Sequence, residues 1–317
     1  MEHRGNGQIA RALASGLGAI YPRNRKAKIW EMDRNFDVII IGAGPAGLFC
    51  AIHAAGTGAR ILVLEKNPAP GSKLLLAGSG QCNLTHDGDI RTFVSHYGDH
   101  GKFVQPSLMS YPNQALQDFF CERGLDLVTE DNGKIFPATR KSADVLAILL
   151  AECEKHGVIV WCSEPATGIA RDGDTFTVTT PSRTYRAGSI VITTGGASYP
   201  QCGTTGDGYR FAESLGQPVT EIAPALVPLL IRPFPFAGLA GISFAGMYFS
   251  VWRGGKKVAD HTGDVLFTHL GLSGPGILDA SRKIRAGDVI RLSFVGAMRR
   301  EEFATELARR ATENPGW

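Results

Sequence analysis

The chain has little net charge and no apolar run long enough to cross a membrane. Its 33 Lys and Arg residues nearly balance 30 Asp and Glu residues, which leaves a net charge of +3 over 317 residues. The longest apolar stretch contains a glycine-rich turn and is shorter than the roughly 20 residues of a membrane helix. Neither a membrane nor a nucleic-acid partner is therefore implied. A hydrophobic content of 44% is enough to fill one large or two ordinary domains.

The chain also lacks the cysteine and histidine spacings that mark redox and metal sites. None of its six cysteines forms a C-x-x-C or C-x₄-C motif. His86, His96 and His100 follow no metal-ligand spacing. We therefore expect no dithiol redox centre, no metal and a reduced, cytoplasmic setting.

Residues 36–66 carry the strongest pattern in the chain: strand, glycine turn, helix and a second strand that ends in an acid. Val38–Ile41 is an uninterrupted apolar run, typical of a strand buried on both faces. Residues 42–47, GAGPAG, fit G-x-G-x-x-G. In this motif the first glycine allows a tight turn, the second lets a diphosphate approach the backbone, and the third lets the helix pack closely. The free N–H groups at the helix start attract the diphosphate.

Glu65, at the end of the second strand, indicates which dinucleotide fits. A carboxylate there can accept both ribose hydroxyls of an adenosine and would repel a 2′-phosphate, which disfavours NADP and leaves FAD and NAD open. The alternative, a glycine turn made only for packing, explains neither the acid nor its spacing. The candidate contact residues of this stretch are Gly42, Gly44, Pro45, Ala46, Gly47, Glu65 and Lys66.

Residues 67–86 predict a long polar loop that lines the same site. Glycines such as Gly78 and Gly80 make the backbone N–H groups of such a loop available to a diphosphate or a ring edge. Lys73 would offset phosphate charge. The alternative is a simple surface loop.

The following segments are expected to alternate between irregular chain and helix. Residues 87–110 are polar and predict irregular structure. Ser142 is expected to cap a helix that runs to His156, and Asp207 to cap one that runs to Leu215.

Residues 71–85, GSKLLLAGSGQCNLT, resemble a G-[RS]-K-L-L-x-[STA]-G-x-G-[RQ]-C-N-[LV]-T segment of the BaiN-like or aminoacetone-oxidase-like FAD-dependent oxidoreductases. Four further segments are similar to the same family: residues 133–146, 197–216, 224–229 and 263–275. Ser72 and Gln81 stand where that family usually has arginine. Two positive charges near the cofactor are therefore missing.

The resemblance implies an α/β fold: a three-layer, Rossmann-like FAD-binding domain with a parallel sheet and a β-meander crossover, plus an inserted β-barrel-like domain. The expected domains are an N-terminal extension without fixed structure (1–34), the FAD domain (35–200), the β-rich substrate domain (201–298), and a helix with a truncated C-terminus (299–317). A C-terminal part that would complete the flavin end of the site is expected to be missing. The strand–meander–strand pattern of residues 158–196 also favours FAD over NAD, because an NAD dehydrogenase would more often show further strand–helix repeats here.

The resemblance also implies cofactor contacts outside the first motif. The residues it indicates are Gly78, Gly80, Cys82, Asn83, Ala166, Thr194, Gly195 and Gly196. Asp264, although it follows a glycine, is expected in the inserted domain and not at the flavin. No catalytic residue is identified; His269 and Tyr199 are candidates for a proton donor, against a purely structural role. Cys82 is either a reactive thiol or part of the loop core.

The function that these features imply is an FAD-dependent oxidoreductase. It would transfer hydride between a transiently bound reduced nicotinamide, the flavin and a small organic substrate, for example by reduction of a conjugated C=C bond. Oxidation of a small amine or carbonyl compound is the competing assignment. Two alternatives remain: a non-catalytic or truncated nucleotide-binding remnant, and an FAD-dependent RNA-modifying enzyme, against which the near-neutral charge argues.

Overall fold

The computed structural model describes residues 35–296, 298 and 300–313. The expectation for the N-terminal extension, residues 1–34, lies outside the described residues. The chain divides into two compact units, one ending at Val219 and one beginning at Thr220, and each is described by itself. The expected division after residue 200 differs from this point, because the helix that starts at Asp207 packs within the first unit.

The described residues of the two units form the following strands and helices. The strands are β1 (Asn35–Ile41), β2 (Ile61–Leu64), β3 (Thr85–His86), β4 (Leu127–Thr129), β5 (Lys134–Pro137), β6 (Ile159–Trp161), β7 (Gly168–Asp172), β8 (Thr175–Thr179), β9 (Thr184–Ile192), β10 (Leu229–Leu230), β11 (Ser243–Arg253), β12 (Lys256–Phe267), β13 (Gly271–Ser273) and β14 (Val289–Ser293). The helices are α1 (Pro45–Ala55), α2 (Ser72–Leu76), α3 (Ile90–His96), α4 (Gly101–Ser110), α5 (Asn113–Cys121), α6 (Ser142–Lys155), α7 (Asp207–Ser214), α8 (Pro275–Ser281) and α9 (Arg300–Glu313).

The first unit is built on a six-stranded sheet in the order β6-β2-β1-β9-β8-β7. The first four strands are parallel, and β9, β8 and β7 form an antiparallel meander. Ile39 on the central strand β1 pairs with Leu62 on one side and Ile190 on the other, and it is fully buried. The α/β fold class with a meander crossover is thus confirmed.

Both faces of this sheet are covered, which is why its central strands read as continuous apolar runs. On one face, Leu48 of α1 and Leu146 of α6 are fully buried against Ile40 and Val63. On the other face, a separate cluster includes Phe211 of α7. Each such buried leucine contributes about 1.5–3 kcal/mol of apolar burial.

Two segments that were expected to be loops contain helices. Residues 87–110 form α3 and α4; α3 begins where the Asp89 side chain accepts a hydrogen bond from the N–H of Arg91 at 2.9 Å. Residues 67–86 contain the short helix α2 and a 3₁₀ turn. Both segments have a polar composition, but helix caps and local turns determine their backbone conformation.

The two expected helix caps are wrong in detail. Lys141 and Gly206 occupy the N-cap positions of α6 and α7, and no side-chain hydrogen bond caps either helix; Ser142 is the first residue of α6. Asp207 is instead the first residue of α7, where its carboxylate forms the ion pair described below.

The second unit is an antiparallel sheet in the order β10-β13-β12-β11-β14. Phe249, Val265, Phe267 and Ile277 of α8 form its buried core. No pairing joins the edge strands β10 and β14 among the residues that the structure describes, so the sheet is open there. Asp264 lies in this unit, as expected, and accepts a hydrogen bond from the backbone N–H of Gly246 at 2.9 Å.

The described part of the chain contains no helix that is both long and apolar enough to cross a membrane. It also contains no cluster of three or more His, Cys, Asp or Glu side chains that could hold a metal ion.

Candidate functional site

A cavity of about 340 Å³ opens in the first unit, at the C-terminal ends of β1, β2 and β9. Ligands of open α/β sheets bind at this edge, and their pockets usually measure roughly 300–1,000 Å³. The cavity wall includes the glycine turn, the acidic end of β2, and the residues that follow β9.

Two glycines of the turn are required by the protein itself. Gly42 has a φ of +109°, and a side chain there would meet the carbonyl oxygen of Thr193 at 2.6 Å. A Cβ on Gly47 would lie 2.0 Å from the carbonyl oxygen of Gly42. The Thr193 hydroxyl donates to this same carbonyl at 2.9 Å, which holds β9 against the turn. These glycines therefore allow the turn and the close packing of α1.

Gly44 is different, because neither its backbone conformation nor its packing against the described residues requires a glycine there. Its φ of −77° and ψ of 177° suit any residue, and an added Cβ would meet no described atom within 4 Å. Gly44 lines the cavity. The missing side chain therefore leaves room for a ligand that touches the backbone.

The start of α1 forms part of the cavity wall, and its chemistry favours an anion. Pro45 and Ala46 line it, and the first helical turn contains no acidic residue. Proline at the first helical position removes no hydrogen bond that the helix could use. The remaining N–H groups and the helix dipole favour a negatively charged group such as a diphosphate.

Glu65, which also lines the cavity, is held by two backbone donors. One carboxylate oxygen accepts from the N–H of Ala43 at 2.9 Å, and the other accepts from the N–H of Asn67 at 2.8 Å. Glu65 is buried and lines the cavity. Each oxygen retains a lone pair, so the fixed carboxylate can accept one further hydrogen bond on each oxygen. Two neighbouring hydroxyls match this arrangement.

Two lysines line the cavity, and their partners differ in charge. Lys66 donates to a carboxylate oxygen of Asp207 at 2.5 Å and to the hydroxyl of Thr205 at 2.8 Å. Lys73 donates to the hydroxyl of Ser198 at 2.8 Å and lies 5.5 Å from the ring of Tyr199. Both described partners of Lys73 are neutral, so its charge remains available to an anion.

Further parts of the wall come from the chain before β7, the chain after β9 and α7. Ala166 precedes β7, and Thr194 and Gly195 follow β9. The buried hydroxyl of Thr194 has no hydrogen-bond partner in the described part of the chain. Phe211 of α7 also lines the cavity.

Sequence reasoning missed some residues of this wall. Asn67 lines it and donates from its side chain to the carbonyl of Cys202 at 3.1 Å. A Cβ on Gly203 would lie 2.7 Å from that Asn67 nitrogen. Gly203 was the sequence signal for this contact. The hydrogen-bond partners Asn67 and Cys202 are 135 positions apart, so the sequence alone does not show that they meet.

The structure brings most of the predicted contact residues to this cavity. Those that line it are Gly42, Gly44, Pro45, Ala46, Glu65, Lys66, Lys73, Ala166, Thr194 and Gly195. Gly47 lies outside the lining because it packs beneath the turn.

Besides Gly47, five predicted contact residues lie outside the cavity wall. Gly78 and Gly80 belong to the 3₁₀ turn after α2, and both have positive φ. Cys82 is buried in the core, and burial raises the pKa of its thiol to about 11. Asn83 is exposed beside it, and Gly196 lies next to Tyr209. The core interpretation of Cys82 therefore fits better than a reactive thiol.

The two candidate proton donors lie in different units. Tyr199 is 60% exposed and lies beside Lys73 in the first unit. His269 lines a second cavity of about 230 Å³ in the second unit, together with Arg232 and Phe234. Neither residue lines the first cavity.

Comparison with known proteins places these features in a family. A family model described as "HI0933-like protein Rossmann domain" matches residues 36–298. A ribosomal RNA dihydrouridine synthase of Escherichia coli is 29% identical over 277 residues, covering 86% of this chain and 66% of that protein. A 3-dehydro-bile acid delta(4,6)-reductase of Clostridium scindens is 28% identical over 250 residues, covering 78% of this chain and 60% of that protein.

A ribosomal RNA dihydrouridine synthase of Haemophilus influenzae is 30% identical over 257 residues, covering 79% of this chain and 62% of that protein. The chain thus spans between 60% and 66% of the length of these curated relatives. Two of the three are named for ribosomal RNA. The expected exclusion of a nucleic-acid partner rested on the near-neutral charge of the chain. With two such relatives, that exclusion is not supported.

Proposed function

Because the chain belongs to the HI0933-like Rossmann family, an FAD-dependent oxidoreductase family, we propose that it transfers hydride between a reduced nicotinamide, FAD and a small organic substrate. FAD supplies the two-electron redox chemistry, and the protein binds and orients it. The main support for a cofactor site comes from Gly44. Neither its backbone conformation nor its packing against the described residues explains why it has no side chain.

The cavity fits the adenosine diphosphate half of FAD. Gly44 and the start of α1 would hold the diphosphate, with Lys73 offsetting its charge. Glu65 would accept the two ribose hydroxyls, and Ala166 would face the adenine. Asn67 donates a hydrogen bond to the carbonyl of Cys202 and so holds the loop that forms this part of the cavity wall.

The substrate is proposed as an unsaturated compound. The names of the relatives, a dihydrouridine synthase and a delta(4,6)-reductase, both denote hydrogen addition across carbon–carbon double bonds. Conjugated enones and dienones are therefore the first compounds to test. The assay follows oxidation of NADH or NADPH under anaerobic conditions with each compound, and acceptor-dependent oxidation at equimolar bound FAD supports the proposal. Oxidation that stays at the acceptor-free rate for every compound contradicts it.

The second candidate function is reduction of a base in RNA, favoured by the two relatives named as ribosomal RNA dihydrouridine synthases. The test incubates the flavin-loaded chain and NADPH with ribosomal RNA and measures dihydrouridine by mass spectrometry of the nucleosides. Dihydrouridine that forms only with flavin and donor present favours this function over a small-molecule reductase.

The six cysteines are free, which supports the proposal of a reduced, cytoplasmic setting. Burial raises the pKa of Cys153, with a smaller contribution from the charge of Glu152, to about 12. Burial and, to a smaller degree, the charge of Glu65 raise the pKa of Cys162 to about 12. These thiols stay protonated at neutral pH and take no part in the proposed chemistry.

A further inference from the structure

Two adjacent residues at the end of β2, one acidic and one basic, favour different forms of the adenosine ribose. Glu65 suits a ribose with free hydroxyls, whereas a basic residue at this place in related folds accommodates a 2′-phosphate. Lys66 follows Glu65 directly, and both line the cavity. If the Lys66 ammonium were free, it would offset the repulsion between Glu65 and a phosphate group.

The positive charge of Lys66 is paired with a carboxylate of the protein. Its ammonium lies 2.5 Å from one carboxylate oxygen of Asp207, and the other oxygen lies 3.0 Å from the guanidinium of Arg210. The Lys66 side chain is 30% exposed and that of Asp207 is 22% exposed, so solvent screens this pair only in part. Asp207 itself lines the cavity.

The surroundings hold this pair in one arrangement. The hydroxyl of Thr205 donates to Asp207 at 3.1 Å and accepts from Lys66 at 2.8 Å. The chain at Gly203 passes close to the stem of Lys66, because a Cβ there would lie 3.1 Å from the Lys66 Cε. Partial burial alone would raise the pKa of Asp207, but hydrogen bonds from Lys66, Thr205 and Arg210 and the charge of Lys66 lower it overall. The carboxylate is therefore ionised at neutral pH.

We propose that Asp207 is a specificity-determining residue of the cofactor site, because its carboxylate holds Lys66 and leaves Glu65 unopposed at the ribose. The site then accepts an adenosine with a free 2′-hydroxyl and rejects one with a 2′-phosphate. Lys73, whose described partners are neutral, remains for the diphosphate. This inference rests on the proposed nucleotide site, and it assigns the discrimination to a residue on α7 as well as to Glu65.

The test compares two probes, ADP and adenosine 2′,5′-bisphosphate, by calorimetric titration of the full chain freed of flavin. Wild type is expected to bind ADP at least about tenfold more tightly, a difference of about 1.4 kcal/mol. Asp207→Asn frees Lys66, so the preference for ADP should shrink about tenfold or more. Lys66→Met combined with Asp207→Asn should restore it, because no cation is left to bind the phosphate.

Two further variants control for folding and for general charge effects. Asp172→Asn removes a remote, exposed carboxylate that pairs with Arg186 on β9, and it should leave the ratio of the two affinities unchanged. Asp207→Ser also removes the carboxylate that holds Lys66, so it should shrink the preference for ADP as Asp207→Asn does; this variant tests the idea even if Asp207→Asn does not fold. An unchanged preference for ADP in either folded Asp207 variant would overturn the inference.

The outcomes separate the inference from the proposed function. If ADP binds wild type and Asp207→Asn leaves the ratio unchanged, the role of Asp207 is wrong and the nucleotide site stands. If ADP does not bind wild type, both the nucleotide site and the inference are overturned.

Discussion

Gly44 and Gly47 belong to the same motif, yet the structure predicts opposite consequences for their replacement by alanine. A Cβ on Gly44 meets no described atom within 4 Å, and the backbone conformation suits alanine. Gly44→Ala should therefore leave the flavin-free protein as stable as wild type or raise its unfolding free energy by about 0.4–1 kcal/mol, through the unfolded state.

The same methyl group would stand where the diphosphate has to approach the backbone. Loss of one charge-assisted hydrogen bond costs about 1.5–3 kcal/mol, so FAD should bind Gly44→Ala roughly 10- to 150-fold more weakly. The defect is confined to the complex, because the cavity wall itself is unchanged.

Gly47→Ala should fail for a different reason. Its Cβ would lie 2.0 Å from the Gly42 carbonyl oxygen and 2.7 Å from the Thr193 hydroxyl, so the turn has to move away from α1. Overpacking of this kind typically costs about 1–3 kcal/mol, and this contact is with backbone. The variant should lose stability without flavin as well as FAD affinity.

Two assays are combined. Urea unfolding of the flavin-free proteins gives their stability, and titration with FAD, measured by the quenching of flavin fluorescence, gives their affinity. Gly44→Ala should separate the two measurements, whereas Gly47→Ala should lower both. Wild-type FAD affinity in Gly44→Ala would refute the assignment of this cavity to the diphosphate. An unfolding free energy as low as that of Gly47→Ala would refute the local geometry.

Three further changes have expected outcomes. Glu65→Gln weakens the hydrogen bonds from the turn and the ribose, so FAD affinity should fall by about 1.5–3 kcal/mol in the same titration; unchanged affinity would remove Glu65 from the site. Cys82, with a pKa of about 11, should resist a thiol reagent at pH 8 in the folded protein and react once urea unfolds it; rapid labelling of folded protein would contradict its burial. The hydrogen bonds and charge of Arg253 lower the pKa of Asp288 from 3.8 to about 2, so its stabilising contribution is complete above about pH 4 and is lost as the pH falls toward 2. Asp288→Asn should therefore lower the unfolding free energy most near neutral pH, and a destabilisation that stays constant down to pH 2.5 would show that the carboxylate charge is not the cause.

The strand–turn–helix–strand segment of residues 36–66 could be predicted because its apolar runs, its glycines and its acidic residue all indicate the same structure. The apolar run Val38–Ile41, the glycines at fixed offsets and the acid at Glu65 each have one structural solution, and the structure contains it. The meander was predictable for the same reason, since the turn between β7 and β8 falls within the polar residues 171–174.

The parts that sequence reasoning missed depend on partners far along the chain. Lys66 and Asp207 are separated by 141 positions, and only the path of the chain after β9 brings them together. Residues 87–110 have a polar composition that suits a loop, yet the Asp89 cap starts a helix there. Cys82 matched a family segment at the cofactor, but its backbone turns the thiol into the core.

The most direct test of the central claim is the absorption spectrum of the purified chain, followed by release and identification of any bound nucleotide. The account predicts an oxidised-flavin spectrum, or its appearance after addition of FAD, with equimolar FAD that co-elutes with the protein. It predicts a lower content of bound flavin in Gly44→Ala at the same protein concentration. A colourless wild-type protein that cannot be reconstituted with FAD would contradict the claim and favour a non-catalytic remnant.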